Sequence, residues 1–194
     1  MNEQVFIAGK GIVSAIGNNV AECLDALQNE RAGMGTMHYL DSVHRQRLPV
    51  AEVKLNNDDL AKLAGLPNIK SRTALLSLVA AKEALADAGI EDLKDLRTGF
   101  ISATSVGGMD KTENFFTEFL SDNSKGKLRD VVNHECGSVT ELVADALGIK
   151  DYITTINTAC SSSANAIFLG ARLIRNSIMD VVVAGGADSM TRFT

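Results

Sequence analysis

Residues 152–175 read YITTINTACSSSANAIFLGARLIR and contain the change of pattern that decides the fold. The β-branched residues in 152–157 predict a strand, because branched side chains pack well on a pleated surface. Residues 161–175 are rich in small side chains and predict a helix that packs closely on its neighbours. Cys160 lies where the strand gives way to the helix, so the sequence places a thiol at a helix start.

A thiol in that place has chemical consequences. Free N–H groups at a helix N-terminus favour negative charge, and therefore favour the thiolate, which attacks thioesters. The Cys160 N–H could also donate to the oxyanion of the tetrahedral intermediate. Judged by this local pattern alone, a cysteine beside a strand is more often a buried, inert residue than a nucleophile. Cys23, on the apolar face of a helix, and Cys136, which has no supporting context, are expected to be structural.

Strands and helices are predicted to alternate along the rest of the chain. Further strands are expected at 5–8, 99–105 and 181–184, the first of them followed by a tight turn at Gly9 and Gly11. Further helices are expected at 20–27, 58–63, 71–89, 112–120 and 139–147, with Asn18 or Asn19 and Ser71 as N-caps and with Gly89 and Gly148 as helix-ending residues. This order predicts an α/β fold, in which a mixed, mainly parallel sheet is covered by helices on both faces.

Composition excludes several classes of function. The net charge of −5 and the absence of a Lys/Arg run argue against nucleic-acid binding. No apolar run is long enough to span a membrane, and no secretory signal opens the sequence, which predicts a cytoplasmic protein. The three cysteines form no CxxC pair and have no metal-ligand spacing, so no metal is expected.

Five segments together resemble the β-ketoacyl-acyl-carrier-protein synthases of the elongating type. They occur in the family's order and with matching separations, and they are GKGIVSAIGNNVAECLDAL (9–27), SRTALLSLVAAKEALADAG (71–89), GFISATSVGG (99–108), TACSSSANAI (158–167) and DVVVAGGADSM (180–190). The resemblance covers nearly the whole chain and corresponds to the N-terminal half of the family.

The resemblance implies a thiolase-like fold, a five-layer αβαβα arrangement of two similar halves, with residues 1–194 as the first half. It implies that Cys160 accepts the acyl group in a decarboxylative Claisen condensation that needs no cofactor. The family takes two histidines and a lysine from its second half, so this half is expected to be inactive alone. His38, His44 and His134 lie outside those motifs and are expected to be surface or structural residues. Ser163 stands where the family usually has glycine.

The implied partners are acyl carrier protein and its acyl and malonyl thioesters, together with a second copy of the chain that pairs through strand 152–157. Acyl carrier protein is acidic in such systems, so basic residues are candidates for its docking site. They form one group at Arg45, Arg47, Lys70 and Arg72 and a second at Lys125, Lys127 and Arg129. A solvated charged face explains the same residues equally well.

Two alternatives stay open at this point. One is a thiolase acting on acyl-CoA, against which the GGADSM string (185–190) and the RTA-containing helix count. The other is a non-catalytic subunit similar to a chain-length factor, against which the presence of Cys160 counts. Both a fatty-acid and a polyketide-type pathway fit the resemblance.

Overall fold

The computed structural model describes residues 4–67 and 71–194. The elements in these ranges are, in chain order, α1 (Val20–Gln28), α2 (Asn57–Ala64), α3 (Arg72–Asp87), β1 (Thr98–Ala103), α4 (Met109–Ser121), α5 (Arg129–Val132), α6 (Cys136–Leu147), β2 (Tyr152–Ile156), a 3₁₀ turn (Ala159–Ser161), α7 (Ser162–Arg175) and β3 (Val181–Gly186).

The three described strands form one parallel sheet in the order β2-β1-β3. Phe100 of the central strand lies beside Ile153 of β2 and Val183 of β3, and the register continues without interruption along both pairs. β1 is buried along its whole length, whereas the two outer strands are only partly buried. The carboxyl ends of all three strands therefore meet at one edge of the sheet.

Helices α3 and α6 cover one face of the sheet, and α2 packs on α3. Leu75, Leu78 and Val143 are fully buried there and meet Phe100 from the sheet. Burial of each such side chain contributes about 1.5–3 kcal/mol relative to an exposed position. This face forms the larger of the two apolar clusters in the described part of the chain.

Helix α7 covers the opposite face and lies unusually close to the strands. Ala166 is fully buried against Ile101, and a Cβ added to Gly170 would lie 3.1 Å from Cγ1 of Val182. The small buried residues Ser162, Ala166 and Gly170 on this side of α7 let its backbone approach the sheet. The α/β fold with helices on both faces is confirmed.

The predicted helix ends are also confirmed. The side chain of Asn19 accepts a hydrogen bond from the Glu22 N–H at the start of α1, and that of Ser71 accepts one from the Ala74 N–H at the start of α3. Gly89 and Gly148 adopt left-handed φ values of 68° and 74° beyond α3 and α6, a conformation that costs glycine little.

The strand predicted at 5–8 is wrong. Residues 9–12 run along α3, where the Lys10 N–H donates to Asp87 and the Ile12 N–H to Glu83, both at 2.9 Å. A Cβ on Gly11 would lie 1.9 Å from the Ala80 carbonyl oxygen. The glycines at 9 and 11 therefore permit contact with a helix and do not form a tight turn, and the apolar residues before them are largely exposed.

Other differences are smaller. The described strands are all parallel, so the mixed character expected of the sheet is absent from 4–67 and 71–194. Helix α4 begins three residues earlier than predicted, and the short helix α5 was not predicted. Lys70, one of the proposed docking residues, lies outside the described residues. Within the described ranges, no helix has the length and apolar character to cross a bilayer.

Candidate functional site

Cys160 lies at the carboxyl edge of the parallel sheet, in the 3₁₀ turn between β2 and α7, and is exposed. In open parallel sheets, ligands bind beyond the carboxyl ends of the strands, where loops present their side chains. The ends of β1 and β3 are joined at the same edge, because one carboxylate oxygen of Asp188 accepts hydrogen bonds from the Thr104 hydroxyl and from the N–H groups of Ser105 and Val106.

The turn that carries Cys160 has an unusual backbone. Ala159 adopts φ +53°, a left-handed conformation that costs a residue other than glycine about 1–2 kcal/mol. The buried Ser162 hydroxyl compensates, because it accepts a hydrogen bond from the Thr158 N–H and donates to the Ala159 carbonyl, both at 2.7 Å. The strain is therefore held by side-chain bonds within the turn.

Exposed polar side chains complete this network. The Ser161 hydroxyl donates to the carbonyl and the hydroxyl oxygen of Thr158, at 2.9 and 3.0 Å. The Asn165 amide donates to the hydroxyl oxygens of Thr158 at 2.8 Å and Ser161 at 3.4 Å. We call Thr158, Ser161, Ser162 and Asn165 the polar clasp. Sequence reasoning interpreted these residues only as small side chains suited to close packing.

The electrostatics of α7 favour an anion at Cys160. The helix has 14 residues, no acidic residue in its first turn, and Arg172 and Arg175 in its last turn. The N–H groups of a first helical turn have no acceptor within the helix, so the partial positive charge of the helix end faces the 3₁₀ turn. An oxyanion that forms in that place would be stabilised.

Ser163 lies on the exposed side of α7 beside the end of β3. A Cβ added to Gly186 would lie 2.2 Å from the Ser163 hydroxyl oxygen and 2.9 Å from the Ala103 carbonyl oxygen. The absence of a side chain at position 186 therefore leaves room for the Ser163 hydroxyl.

The other two cysteines lie in different surroundings. Cys23 is buried, and its sulfur lies 3.2 Å from the Ser14 hydroxyl oxygen and 3.4 Å from the Gly17 carbonyl oxygen. Cys136 is half-buried at the start of α6, where the Asn157 amide lies 3.8 Å from its sulfur. Burial raises the pKa of the Cys136 thiol, and the nearby Asp188 carboxylate adds to the increase. Of the three, Cys160 is the exposed thiol.

Most of the candidate docking residues lie on the surface. Arg45, Arg47, Lys127 and Arg129 are exposed, and Lys125 forms an exposed ion pair with Asp122 at 3.6 Å. The Arg45 guanidinium also donates to the His38 carbonyl.

Arg72 differs from the other candidates. Its guanidinium is half-buried and donates to the Asn57 side chain and the Val53 carbonyl, both at 2.9 Å, and burial lowers its pKa. Arg72 therefore fixes a loop against α3, and its charge is not free to meet a partner.

Arg72 also borders a cavity of about 500 Å³, whose lining residues do not include Cys160. Asp110 and Glu113 of α4 line this cavity, and burial raises the pKa of both carboxyls. The Asp110 carboxylate accepts the Arg72 N–H, and the Glu113 carboxylate accepts the Arg192 N–H, both at 2.8 Å. These bonds join α4 to its neighbours, so we assign the cavity no chemistry.

The three histidines are separate from Cys160 in the described contacts. His38 and His44 are exposed in the loop before α2, and a ring nitrogen of His134 lies 2.9 Å from the Thr112 hydroxyl oxygen. No group of three or more His, Cys, Asp or Glu side chains in 4–67 and 71–194 is arranged to hold a metal ion.

The comparison with protein families agrees with the fold. The family model described as "Beta-ketoacyl synthase, N-terminal domain" matches residues 2–193, so the chain belongs to this family.

Curated relatives include enzymes of fatty-acid and polyketide synthesis. The chain is 27% identical over 198 residues to "3-oxoacyl-[acyl-carrier-protein] synthase 1" of Escherichia coli (strain K12), covering 97% of this chain and 47% of that protein. It is 26% identical over 203 residues to the "Tetracenomycin polyketide synthase ketoacyl synthase alpha subunit" of Streptomyces glaucescens, covering 96% and 46%. The chain thus spans about half the length of these relatives.

Solved structures support the thiolase-like ketosynthase fold. The chain matches "The ishigamide ketosynthase/chain length factor" with a TM-score of 0.87 at 22% identity, covering all of this chain and 49% of that one. It matches "Ketosynthase (ApeO) in Complex with its Chain Length Factor (ApeC) from Xenorhabdus doucetiae" with a TM-score of 0.75 at 26% identity, covering 97% and 48%. The predicted family and fold are confirmed.

Proposed function

We propose that this chain supplies the acyl-accepting thiol of a 3-oxoacyl-acyl-carrier-protein synthase, and that Cys160 is that thiol. The observation that carries the proposal is the placement of an exposed cysteine at the carboxyl edge of a parallel sheet, immediately before the N-terminus of α7. Membership of the ketoacyl synthase family gives this placement its chemical meaning.

The acyl-transfer step follows from the geometry. The Cys160 thiol releases its proton to solvent, and the thiolate attacks the carbonyl carbon of an acyl thioester. Charge moves onto the carbonyl oxygen, where the Cys160 N–H and the end of α7 stabilise it. Collapse of the intermediate re-forms the carbonyl and expels the carrier's thiolate, which takes up a proton from solvent. The acyl group is then bound to Cys160.

The second half-reaction needs groups that the described residues do not bring to Cys160. Condensation requires that a malonyl thioester lose carbon dioxide and that the resulting carbanion attack the acyl-cysteine. Because His38, His44 and His134 do not contact the turn, a chain of residues 1–194 acting as an N-terminal domain should be acylated without catalysing condensation. Fatty-acid and polyketide-type relatives support the reaction class equally.

The test is incubation of the chain with an acyl-carrier-protein thioester, followed by intact-mass measurement and peptide mapping. We expect one acyl adduct at Cys160, no adduct in Cys160→Ser, and no 3-oxoacyl product after addition of malonyl carrier protein. Cys136→Ser is the matched control and should be acylated normally. Acylation at Cys23 or Cys136, or none at all, would refute the proposal.

The proposed carrier docking site consists of the exposed basic residues on the loops at 45–47 and 125–129. Opposite charges at a protein interface mainly accelerate encounter, and salt weakens that effect. The double substitution Lys127→Glu and Arg129→Glu should slow acylation by the carrier thioester and leave acylation by a small, carrier-free thioester unchanged. Equal slowing with both donors would point to damage at Cys160.

We place the protein in the cytoplasm. The proposed dimer pairs β2 of one copy with β2 of the other. β2 lies at an edge of the sheet, and pairing with a second copy would satisfy its open backbone groups. The substitution Thr154→Pro should weaken such pairing, and sedimentation velocity can measure the resulting oligomeric state. An unchanged oligomeric state in Thr154→Pro would count against this interface.

A non-catalytic role remains the second candidate, because two of the matched structures contain chain-length factors. Cys160 favours the acyl-accepting subunit over that role.

A thiolase acting on acyl-CoA is distinguished by comparing acylation from acyl-CoA with acylation from the carrier thioester. Faster reaction with acyl-CoA would favour the thiolase.

A further inference from the structure

We infer that Asn165 is a positioning residue for Cys160, holding the turn so that the Cys160 N–H meets the oxyanion of acyl transfer. This inference rests on the proposed function and adds a role for a side chain that does not react. It is carried by the polar clasp and by the left-handed backbone of Ala159.

Asn165 is bonded to residues on both sides of Cys160. Its amide donates at 2.8 Å to the hydroxyl of Thr158, which precedes Cys160, and at 3.4 Å to the hydroxyl of Ser161, which follows it. The Ser161 hydroxyl in turn donates to Thr158 at two oxygens. Asn165 is the fourth residue of α7, so it fixes the orientation of the 3₁₀ turn relative to the helix.

The backbone conformation of Ala159 explains why the hydrogen bonds of Asn165 are needed. Alanine avoids the left-handed region, so Ala159 at φ +53° tends to relax towards negative φ. Relaxation would rotate the peptide group between Ala159 and Cys160, and this group carries the Cys160 N–H. Ser162 opposes relaxation from the buried side and Asn165 from the exposed side. Because Asn165 is exposed, its removal leaves no buried polar group unsatisfied.

Two reactions of the Cys160 sulfur distinguish a misoriented Cys160 N–H from general damage to the turn. Acyl transfer develops charge on a carbonyl oxygen and depends on where the Cys160 N–H points. Alkylation by iodoacetamide forms a carbon–sulfur bond and expels iodide, and no oxyanion develops. Loss of the orienting bonds should therefore slow acyl transfer much more than alkylation.

The experiment compares the full chain with Asn165→Ala, using the octanoyl thioester of N-acetylcysteamine as acyl donor and intact mass as readout. We expect acyl transfer to Cys160 to fall at least about tenfold, while the iodoacetamide rate changes less than about twofold. Asn176→Ala is the matched control, because the Asn176 amide donates at 2.7 Å to the Arg172 carbonyl at the other end of α7. It should change neither rate.

A rescue variant tests the mechanism directly. Glycine adopts positive φ without the alanine penalty, so adding Ala159→Gly to Asn165→Ala should restore most of the acyl-transfer rate. Amide hydrogen exchange gives a readout that does not depend on acylation, because Ser161 and Ser162 should lose protection in Asn165→Ala. Unchanged protection of these two amides overturns the inference, whether or not the chain is acylated.

The two proposals fail differently. A parent chain that is not acylated by the thioester refutes the proposed function. A parent and an Asn165→Ala variant that are acylated at equal rates refute only the role of Asn165.

Discussion

Two regions of this chain hold a backbone segment outside the α-helices against a helix, and they use different chemistry. The turn at Cys160 is held by hydroxyl and amide groups three to seven residues away in sequence. The segment at 10–12 is held by the carboxylates of Asp87 and Glu83, which lie 77 and 71 residues away. The first arrangement can form together with its own helix, whereas the second requires the completed fold and charged acceptors.

The largest expected effect tests the long-range region. Gly11→Ala places a Cβ 1.9 Å from the Ala80 carbonyl oxygen and 2.8 Å from the Ala84 N, and both atoms belong to the backbone of α3. Because backbone atoms cannot rotate away, the segment must move off the helix. We expect the free energy of unfolding, measured by urea denaturation, to fall by about 2–3 kcal/mol.

Gly35→Ala is the control for this substitution, because a Cβ at position 35 has no described neighbour within 4 Å. Its effect should stay within about 0.5 kcal/mol. Equal unfolding free energies for the two variants would show that 9–12 does not rest on α3 in solution.

A smaller effect is expected at the turn. Ser162→Ala removes a buried hydroxyl that is bonded to the Thr158 N–H and the Ala159 carbonyl, and it leaves both backbone groups without that partner. We expect a loss of about 1–2 kcal/mol in urea denaturation. Ser163→Ala, an exposed change one residue later, should cost less than about 0.5 kcal/mol. Equal stability of the two serine variants would show that the Ser162 hydroxyl does not hold the turn.

The smallest effect concerns the pH dependence of Glu52, a carboxylate that holds backbone N–H groups as Asp87 and Glu83 do. Burial opposes ionisation of Glu52, but hydrogen bonds from the N–H groups of His38, Leu40 and Tyr39, with Arg72 nearby, outweigh it and lower its pKa below the ordinary 4.5. A lowered folded-state pKa means that the stabilisation is complete above about 4.5 and is lost as the pH falls through the folded-state pKa.

Amide-exchange protection factors at 38–40 should therefore fall below pH 4.5, while those at 158–162 stay constant. In Glu52→Gln, protection at 38–40 should already be reduced at pH 7 and should change little with acidification. Parallel loss at both regions in the parent chain would mean that global unfolding, and not Glu52, sets the response.

Much of the fold could be predicted because the relevant signals are local. Strand and helix positions follow from apolar periodicity, and Asn19, Ser71 and Gly148 mark helix ends through bonds to residues a few positions away. The segment at 5–8 has the same apolar character as a strand. The residues that follow it, Lys10 and Ile12, bond to Asp87 and Glu83 far along the chain, and periodicity could not identify such contacts.

At the candidate site, too, some features could be predicted from local sequence patterns and others could not. The position of Cys160 between strand and helix could be predicted from the change of pattern alone. The polar clasp could not, because Ser161, Ser162 and Asn165 also fit a small-residue packing helix, and their acceptors depend on the left-handed φ of Ala159. The sequence does not distinguish Arg72 from surface cations, because its contacts with Val53 and Asn57 arise only when the start of α2 and the residues before it pack on α3.

The strand order β2-β1-β3 places the earliest strand in the middle, and this affects the kinetics of folding. The bonds that start the two ladders span 53 residues between Thr98 and Asp151 and 83 residues between Arg97 and Asp180. Each loop must close before β1 is covered on that side, and both must close before it is covered on both sides, while closing long loops costs entropy before any contact repays it. One side of the central strand therefore stays open to wrong pairing until β3 (Val181–Gly186) has been synthesised.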